Sequence, residues 1–344
     1  MCKQKKLSLS FALTVLLFSL SALLVFISKN ESAALFIGRV SFCVRIALAL
    51  LTNIFPYSLF EGILLFSPLL ISFAVIYPLW GAKQVFKKRV LRVLSIFLFV
   101  SSLYILTFLI PNNITDSKIE EDNRNDLGSE DLNKAASILI NNISNLCGSE
   151  EMDSAYGIYD RIFYEVTLKK GYNLINVYPR IKTAFFSGIL SKMNILALYS
   201  PFTGEIILNS KIPQYIAVFT VAHEYAHYLG AESEADASFL AFLSLYSSDN
   251  DYLSYSASLV ALEYIMSDLY LLDSGLYSEI YEKIPTYASL DIKQYYEFYK
   301  NNQGIVSDIS DKANSAHTDI IHGDGHGGYS DVSYIIAEYL LRQM

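Results

Sequence analysis

Hydrophobic and polar positions divide the chain into two unlike parts. Up to about residue 110 the apolar residues come in long unbroken runs, and beyond it they recur at helical spacing among polar ones. Residues 7–27, LSLSFALTVLLFSLSALLVFI, carry no charge and are long enough to cross ~30 Å of hydrocarbon. This apolar core is long for a signal peptide, and no small-x-small cleavage site follows, so the run predicts an uncleaved anchor. A second span is predicted over 58–81, with Pro68 inside it and Glu61 near one end. Proline within a span is tolerated where neighbouring helices satisfy the freed carbonyl. A third span is predicted over 93–110, VLSIFLFVSSLYILTFLI. Residues 34–54 are apolar too but include Arg39 and Arg45, and read as a helix at the interface or packed against the bundle.

From residue 111 the pattern changes. Residues 111–132, PNNITDSKIEEDNRNDLGSEDL, hold almost no large apolar group and predict an acidic, solvated linker. Helical spacing follows over 133–147 and 151–168. In 194–209, NILALYSPFTGEIILN, two short apolar runs flank a Pro/Thr/Gly turn and predict two strands or one bent strand. Pro213 can open a helix, 214–229 is apolar nearly all round and so predicts a buried helix, and Gly230 is placed as its left-handed stop. Further helices are predicted over 232–247, 251–272, 277–283, 289–302 and 331–343. The fold class expected is mainly α with a small β-sheet, behind an N-terminal bundle of about three transmembrane helices. The expected organisation is a membrane module at 1–110, a linker at 111–132 and a globular domain at 133–344.

Charge sharpens this division. Residues 1–110 hold eleven Lys/Arg against two acids, Glu31 and Glu61; residues 111–344 hold fifteen against thirty-two. A phosphate-binding face needs clustered positive charge and the soluble part is acidic, which argues against a nucleic-acid partner. Basic residues near the N-terminus (Lys3, Lys5, Lys6) and in 82–92 (Lys83, Lys87, Lys88, Arg89, Arg92) place both segments in the cytoplasm. The chain then runs in, out, in, out, with its soluble part outside the cytoplasm and the bilayer as a partner. Cys2, Cys43 and Cys147 are too scattered for a disulfide framework or a thiolate zinc site. The tyrosines, 26 in all, scatter along helices as amphipathic packing.

The candidate chemistry lies in HEYAH, residues 223–227. On a helix, His223 and His227 lie on one face, one turn apart, so two ring nitrogens can share one tetrahedral Zn²⁺. Glu224, beside the first ligand, suits a general base that takes a proton from zinc-bound water, whose pKa the metal lowers to ~7. A third ligand is expected from the next helix, and both Glu232 and Glu234 compete for it. Burying this many polar groups without a metal costs several kcal/mol unless all are paired.

PFTGE at 201–205, HEYAH at 223–227, Gly230, EADASFLAFL at 234–243, PYSLFE at 56–61 and ISDKAN at 309–314 together resemble a bacterial domain-of-unknown-function family of predicted membrane-anchored zinc metallopeptidases. The resemblance implies a gluzincin-type, zincin-like α+β catalytic domain with two His and one Glu as ligands. It assigns the third ligand to Glu234, with Glu232 as second choice. Ser238 stands where the family usually has Asn, and Asp236 where it has a second Glu, which bears on how the histidines are supported. Ser333 and Tyr334 match a Ser-Tyr element weakly, and Tyr334 is the choice for the donor that steadies an oxyanion. PFTGEIILN is placed as an edge strand for an extended substrate. His317, His322 and His326 sit in a glycine-rich stretch that reads as a polar loop.

The leading expectation is a membrane-anchored zinc peptidase acting on a peptide or protein substrate outside the cytoplasm. The alternative is a non-catalytic zinc-binding sensor or scaffold, in which Glu224 would have no task. An intramembrane protease is disfavoured by the polar linker and by the lack of a hydrophobic span around His223.

Overall fold

The structure is a computed structural model that describes residues 2–27, 31–80, 83–110, 127–146, 155–170, 177–231, 233–310, 312 and 330–343. The chain is mainly helical, with one small three-stranded sheet. It forms two compact units, one of residues 1–115, 177–185 and 200–205, the other of 116–176, 186–199 and 206–344.

The first unit holds helices α1 (Cys2–Ile27), α2 (Glu31–Thr52), α3 (Leu59–Leu79) and α4 (Lys83–Tyr104), the last running into a π-helical turn, Ile105–Leu109. Among the described residues, Leu59–Leu79 and Val85–Leu109 are long and apolar enough to cross a membrane; the apolar stretch Phe11–Ile27 is shorter. No residue of α3 is buried, and Leu64, Leu65, Phe66, Leu69, Leu70 and Ile71 all face outward. In water that surface would be an unusually large exposed apolar patch; in hydrocarbon it costs nothing. Hydroxyls on these helices bond back to the preceding turn: Ser67 to the Leu64 carbonyl at 2.7 Å, Ser102 to Leu98 at 2.7 Å and Thr107 to Leu103 at 2.8 Å. Such closure is what an apolar solvent demands. The basic segment expected as a loop at 82–92 is, from Lys83 on, the start of α4, because Lys, Arg and Gln favour helix even where they lower hydropathy. Helix α2 buries one face, including Ile37, Ser41, Phe42, Arg45 and Ala49, and the Arg45 guanidinium lies 5.2 Å from the Phe42 ring centre.

Two stretches distant in sequence meet in this unit. Strand β1 (Ile181–Thr183) presents Lys182 to Glu205 of PFTGE in a buried ion pair. Lys182 also donates to the carbonyls of Thr52 at 2.8 Å and Tyr57 at 3.1 Å. Glu205 accepts the N–H groups of Leu59 at 3.0 Å and Phe60 at 2.9 Å, at the N-terminus of α3, where Ser58 is the N-cap. A carboxylate there satisfies orphan donors and meets the positive end of the helix dipole. Gly204 makes the approach possible: its φ is 66°, and a Cβ would lie 2.8 Å from Leu48 Cβ.

The second unit is built from α5 (Ser129–Asn145), α6 (Ala155–Lys170), a short α7 (Ser187–Lys192), α8 (Gln214–Tyr228), α9 (Glu234–Tyr246), α10 (Asp251–Leu272), α11 (Ser274–Lys283), α12 (Thr286–Asn302) and α13 (Ser330–Leu341). Strands β2 (Ala197–Ser200) and β3 (Glu205–Leu208) complete the sheet, in the order β1-β3-β2. The four residues expected to end the linker, 129–132, form the first turn of α5, stabilised by a Gly128 N–H to Asp131 bond of 3.3 Å. Residues 111–126 and 151–154, Cys147 and the three histidines of the glycine-rich stretch lie outside the described residues. Helix α8 is buried nearly all round, as its composition predicts, and packs against α6, α9 and α10. Phe163 meets Tyr225 edge-on at 5.1 Å.

Candidate metal centre

The local sequence sets the frame for the site. Helix α8 stops at Gly230, whose φ of 93° is open to glycine and strained for other residues. The Gly230 N–H reaches the His227 carbonyl at 3.0 Å and the Ala231 N–H reaches the Ala226 carbonyl at 2.8 Å, the two bonds of a Schellman stop. This turn aims the Ala231 carbonyl back at the helix, where it accepts the Nδ1–H of His227 at 3.1 Å. Two residues later Ser233 caps α9, accepting the Asp236 N–H at 3.0 Å and donating to the Asp236 carboxylate at 2.9 Å. Glu234 is therefore the first residue of α9, and Ser238 follows one turn further along the same helix.

Three side chains converge as a result. His223 Nε2 and His227 Nε2 are 3.1 Å apart. His223 Nε2 is 3.1 Å from one Glu234 oxygen, and His227 Nε2 is 3.6 Å from the other. One ligand atom from each residue lies within 4.8 Å of the others. Two ligands ~2.05 Å from a tetrahedral zinc stand about 3.3 Å apart, so the donor spacing fits one such ion. The distal nitrogens also have partners: Nδ1 of His227 has the Ala231 carbonyl, and Nδ1 of His223 has Ser238 Oγ at 3.1 Å. This leaves both Nε2 atoms facing the common point, so the three residues could hold a divalent cation.

Electrostatics reinforce that geometry. Burial pulls the His227 imidazolium down, but the hydrogen bond and charge of Glu234 outweigh it and push its pKa up to about 9. Burial raises Glu234, and the two imidazoles more than reverse this, holding its carboxyl well below the usual range. Both shifts have one cause: the convergence point favours positive charge, whether a proton or a metal ion. Glu224 is buried on α8, and burial pushes its carboxyl up against the opposing pull of His223 and His227. The Tyr199 N–H on β2 bonds to it.

Glu232 lies outside the described residues. Tyr334, on α13, is half-buried with Asp268 as a charged neighbour; its phenol is raised by burial and by that charge. Of the stretch PFTGEIILN, β3 is the central strand and fully buried, so its backbone is not open to a substrate. The edge strands are β1 and β2, the latter half-exposed along Ala197–Tyr199. Tyr264 on α10 drew no attention from sequence, since it is one of many helical tyrosines; its phenol is hydrogen-bonded with Ser238 and feels the charge of Glu234.

A family profile described as a protein of unknown function (DUF3810) matches residues 41–319, most of the chain. No curated protein and no solved structure matches it.

Proposed function

The chain belongs to the bacterial DUF3810 family, and on that footing we propose that it is a membrane-anchored zinc-dependent peptidase. The observation that carries this reading is the convergence of His223, His227 and Glu234 at tetrahedral spacing, with a buried Glu224 beside them. The donor set of two imidazoles and one carboxylate, with a fourth position left for water or substrate, is that of hydrolytic rather than purely structural zinc. Bound zinc supplies a Lewis acid that polarises the scissile carbonyl and makes water acidic near neutrality. Glu224 takes the proton of the attacking water and passes it to the amine nitrogen as the C–N bond breaks. The Tyr199 N–H fixes that carboxylate. As an edge strand, β2 could offer backbone groups to an extended peptide, which gives binding tolerant of sequence. A zincin-like arrangement accounts for this combination of edge strand, motif helix and second helix.

In the same reading, α1, α3 and the α4–π-turn segment cross the bilayer. The basic segment Lys83–Arg92 lies in the cytoplasm and the second unit outside it. Protease added to intact cells should then cut between residues 111 and 132; full protection would reverse the orientation.

The direct test of the chemistry is Glu224→Gln in the full chain purified in detergent. Zinc should remain at one equivalent while hydrolysis of a peptide library falls by several orders of magnitude. Undiminished turnover would refute the role of Glu224. Zinc binding in the wild type with no turnover at all would favour a non-catalytic sensor or scaffold.

A further inference from the structure

We propose that Phe185 and the loop between α2 and α3 form a lipid-facing surface, by which the segment 177–185 dips into the boundary between headgroups and acyl chains. This rests on the reading that α3 and the α4–π-turn segment cross the bilayer, and adds a contact made by residues far from any span in sequence. Hydrogen bonds within the first unit fix the level. Glu205 accepts the Leu59 and Phe60 N–H groups at the start of α3. In the same short segment, the Pro201 carbonyl accepts the Thr107 hydroxyl at 2.8 Å, in the π-helical turn that ends α4. Phe202 stacks on Tyr104 with ring centres 5.8 Å apart. Residues 200–205 thus tie the start of one span to the end of the other, so both ends lie on one face of the bilayer.

Phe185 is held at that level. Its N–H donates to the Glu61 carboxylate at 3.0 Å, and Glu61 lies in the first turn of α3. Side chains on a helix lean toward its N-terminus, so this bond sits about where the span begins. The neighbouring loop is tied to the same strand. Asn53 donates to the Tyr178 carbonyl at 2.8 Å and accepts the Arg180 N–H at 2.9 Å, while Lys182 bonds the Thr52 and Tyr57 carbonyls. On this anchored backbone the large apolar side chains point outward: Phe185 is 85% exposed, Ile54 74% and Tyr57 62%. Water disfavours such a surface, and the interface of a bilayer, where aromatic rings collect, accepts it. The occupant is lipid and not another protein, because the surface continues into α3, where Ile63 is exposed and no residue is buried.

The test reads tryptophan fluorescence in the full chain reconstituted into phosphatidylcholine vesicles. Trp80 is the sole tryptophan, so Trp80→Phe with Phe185→Trp leaves one reporter at the proposed contact. The exposure of Phe185 leaves room for the larger ring. A ring seated ~5–10 Å below the interface should emit to the blue of tryptophan in water. Lipid brominated near the start of its acyl chains should quench it most, and lipid brominated near their ends less. Trp80→Phe with Leu69→Trp, in the middle of α3, is the companion and should be quenched most by the deep bromines. Deep quenching at position 69 with none at 185 would overturn the lipid contact and leave the spans standing. Blue emission at 185 that no brominated lipid quenches would put protein over the residue and overturn the contact as well. No quenching at either position would overturn the spans and the contact together.

Discussion

Replacing Lys182 by methionine keeps the side-chain stem and deletes its charge. Lys182 is 3% exposed and Glu205 1%, so the carboxylate left behind has no water to turn to. Removing one partner of a buried pair typically costs 3–5 kcal/mol. The structure argues for the lower end, because Glu205 keeps the Leu59 and Phe60 N–H groups and the dipole of α3. The lost bonds to the Thr52 and Tyr57 carbonyls offset part of that relief, although Thr52 still accepts the Phe55 N–H at 3.0 Å. An expected cost of about 3 kcal/mol amounts to roughly a hundredfold rise in local opening. Amide hydrogen exchange at Leu59 and Phe60, in detergent, reads it directly. Lys182→Met with Glu205→Met should recover most of the protection, since an apolar pair carries no stranded charge. Protection in Lys182→Met within about threefold of wild type would show that the pair is solvated after all, and the account of how PFTGE is anchored would fall.

Gly230→Ala places a side chain at a φ of 93° and should cost about 1–2 kcal/mol in the second unit. Any shift of the Ala231 carbonyl away from His227 should also weaken zinc binding roughly tenfold, measurable by chelator competition. Glu263 on α10 gives a pH prediction remote from the metal ligands. Burial raises its pKa to about 7, although the Tyr215 hydroxyl donates to it at 2.5 Å and works the other way. Its folded pKa exceeds the unfolded value, so the folded state holds the proton more tightly. Stability is then greatest below the ordinary glutamate value of 4.5 and is lost as pH rises to about 7, by at most about 3 kcal/mol. Thermal melting near pH 5 and near pH 7.5 should show this slope in wild type and a flatter one in Glu263→Gln; equal slopes would remove Glu263 as its cause.

What could be read from sequence depended on how local the cause was. His223 and His227 lie one helical turn apart, so their spacing alone implied a common face, with Glu224 next to the first of them. Strands β2 and β3 carried apolar runs on either side of a recognisable turn. Strand β1 has only three residues, and its central lysine reads as solvent-facing until its partner, 23 positions away, is known. PFTGE and PYSLFE were both conspicuous, yet nothing in either told of the other, because a bond between residues 146 apart leaves no trace in periodicity. Tyr264 was hidden for a different reason: its hydroxyl bonds Ser238, and nothing in the spacing of tyrosines along a helix shows which hydroxyl faces a polar partner.

The choice between Glu232 and Glu234 shows where local signals stop being sufficient. Both are acidic, both follow the stop glycine, and either could swing toward the histidines on spacing alone. The N-cap favours Glu234. Ser233 engages the backbone N–H and the carboxylate of Asp236, which fixes Glu234 at the first position of α9 with its side chain near two imidazoles. The cap also supplies a reason for Asp236 that is independent of any metal: it completes the cap and has no need to reach the ligand cluster. Among the described residues the acidic cluster is thereby divided into one carboxylate beside the two imidazoles and one at the helix start, and the division follows from a serine hydroxyl.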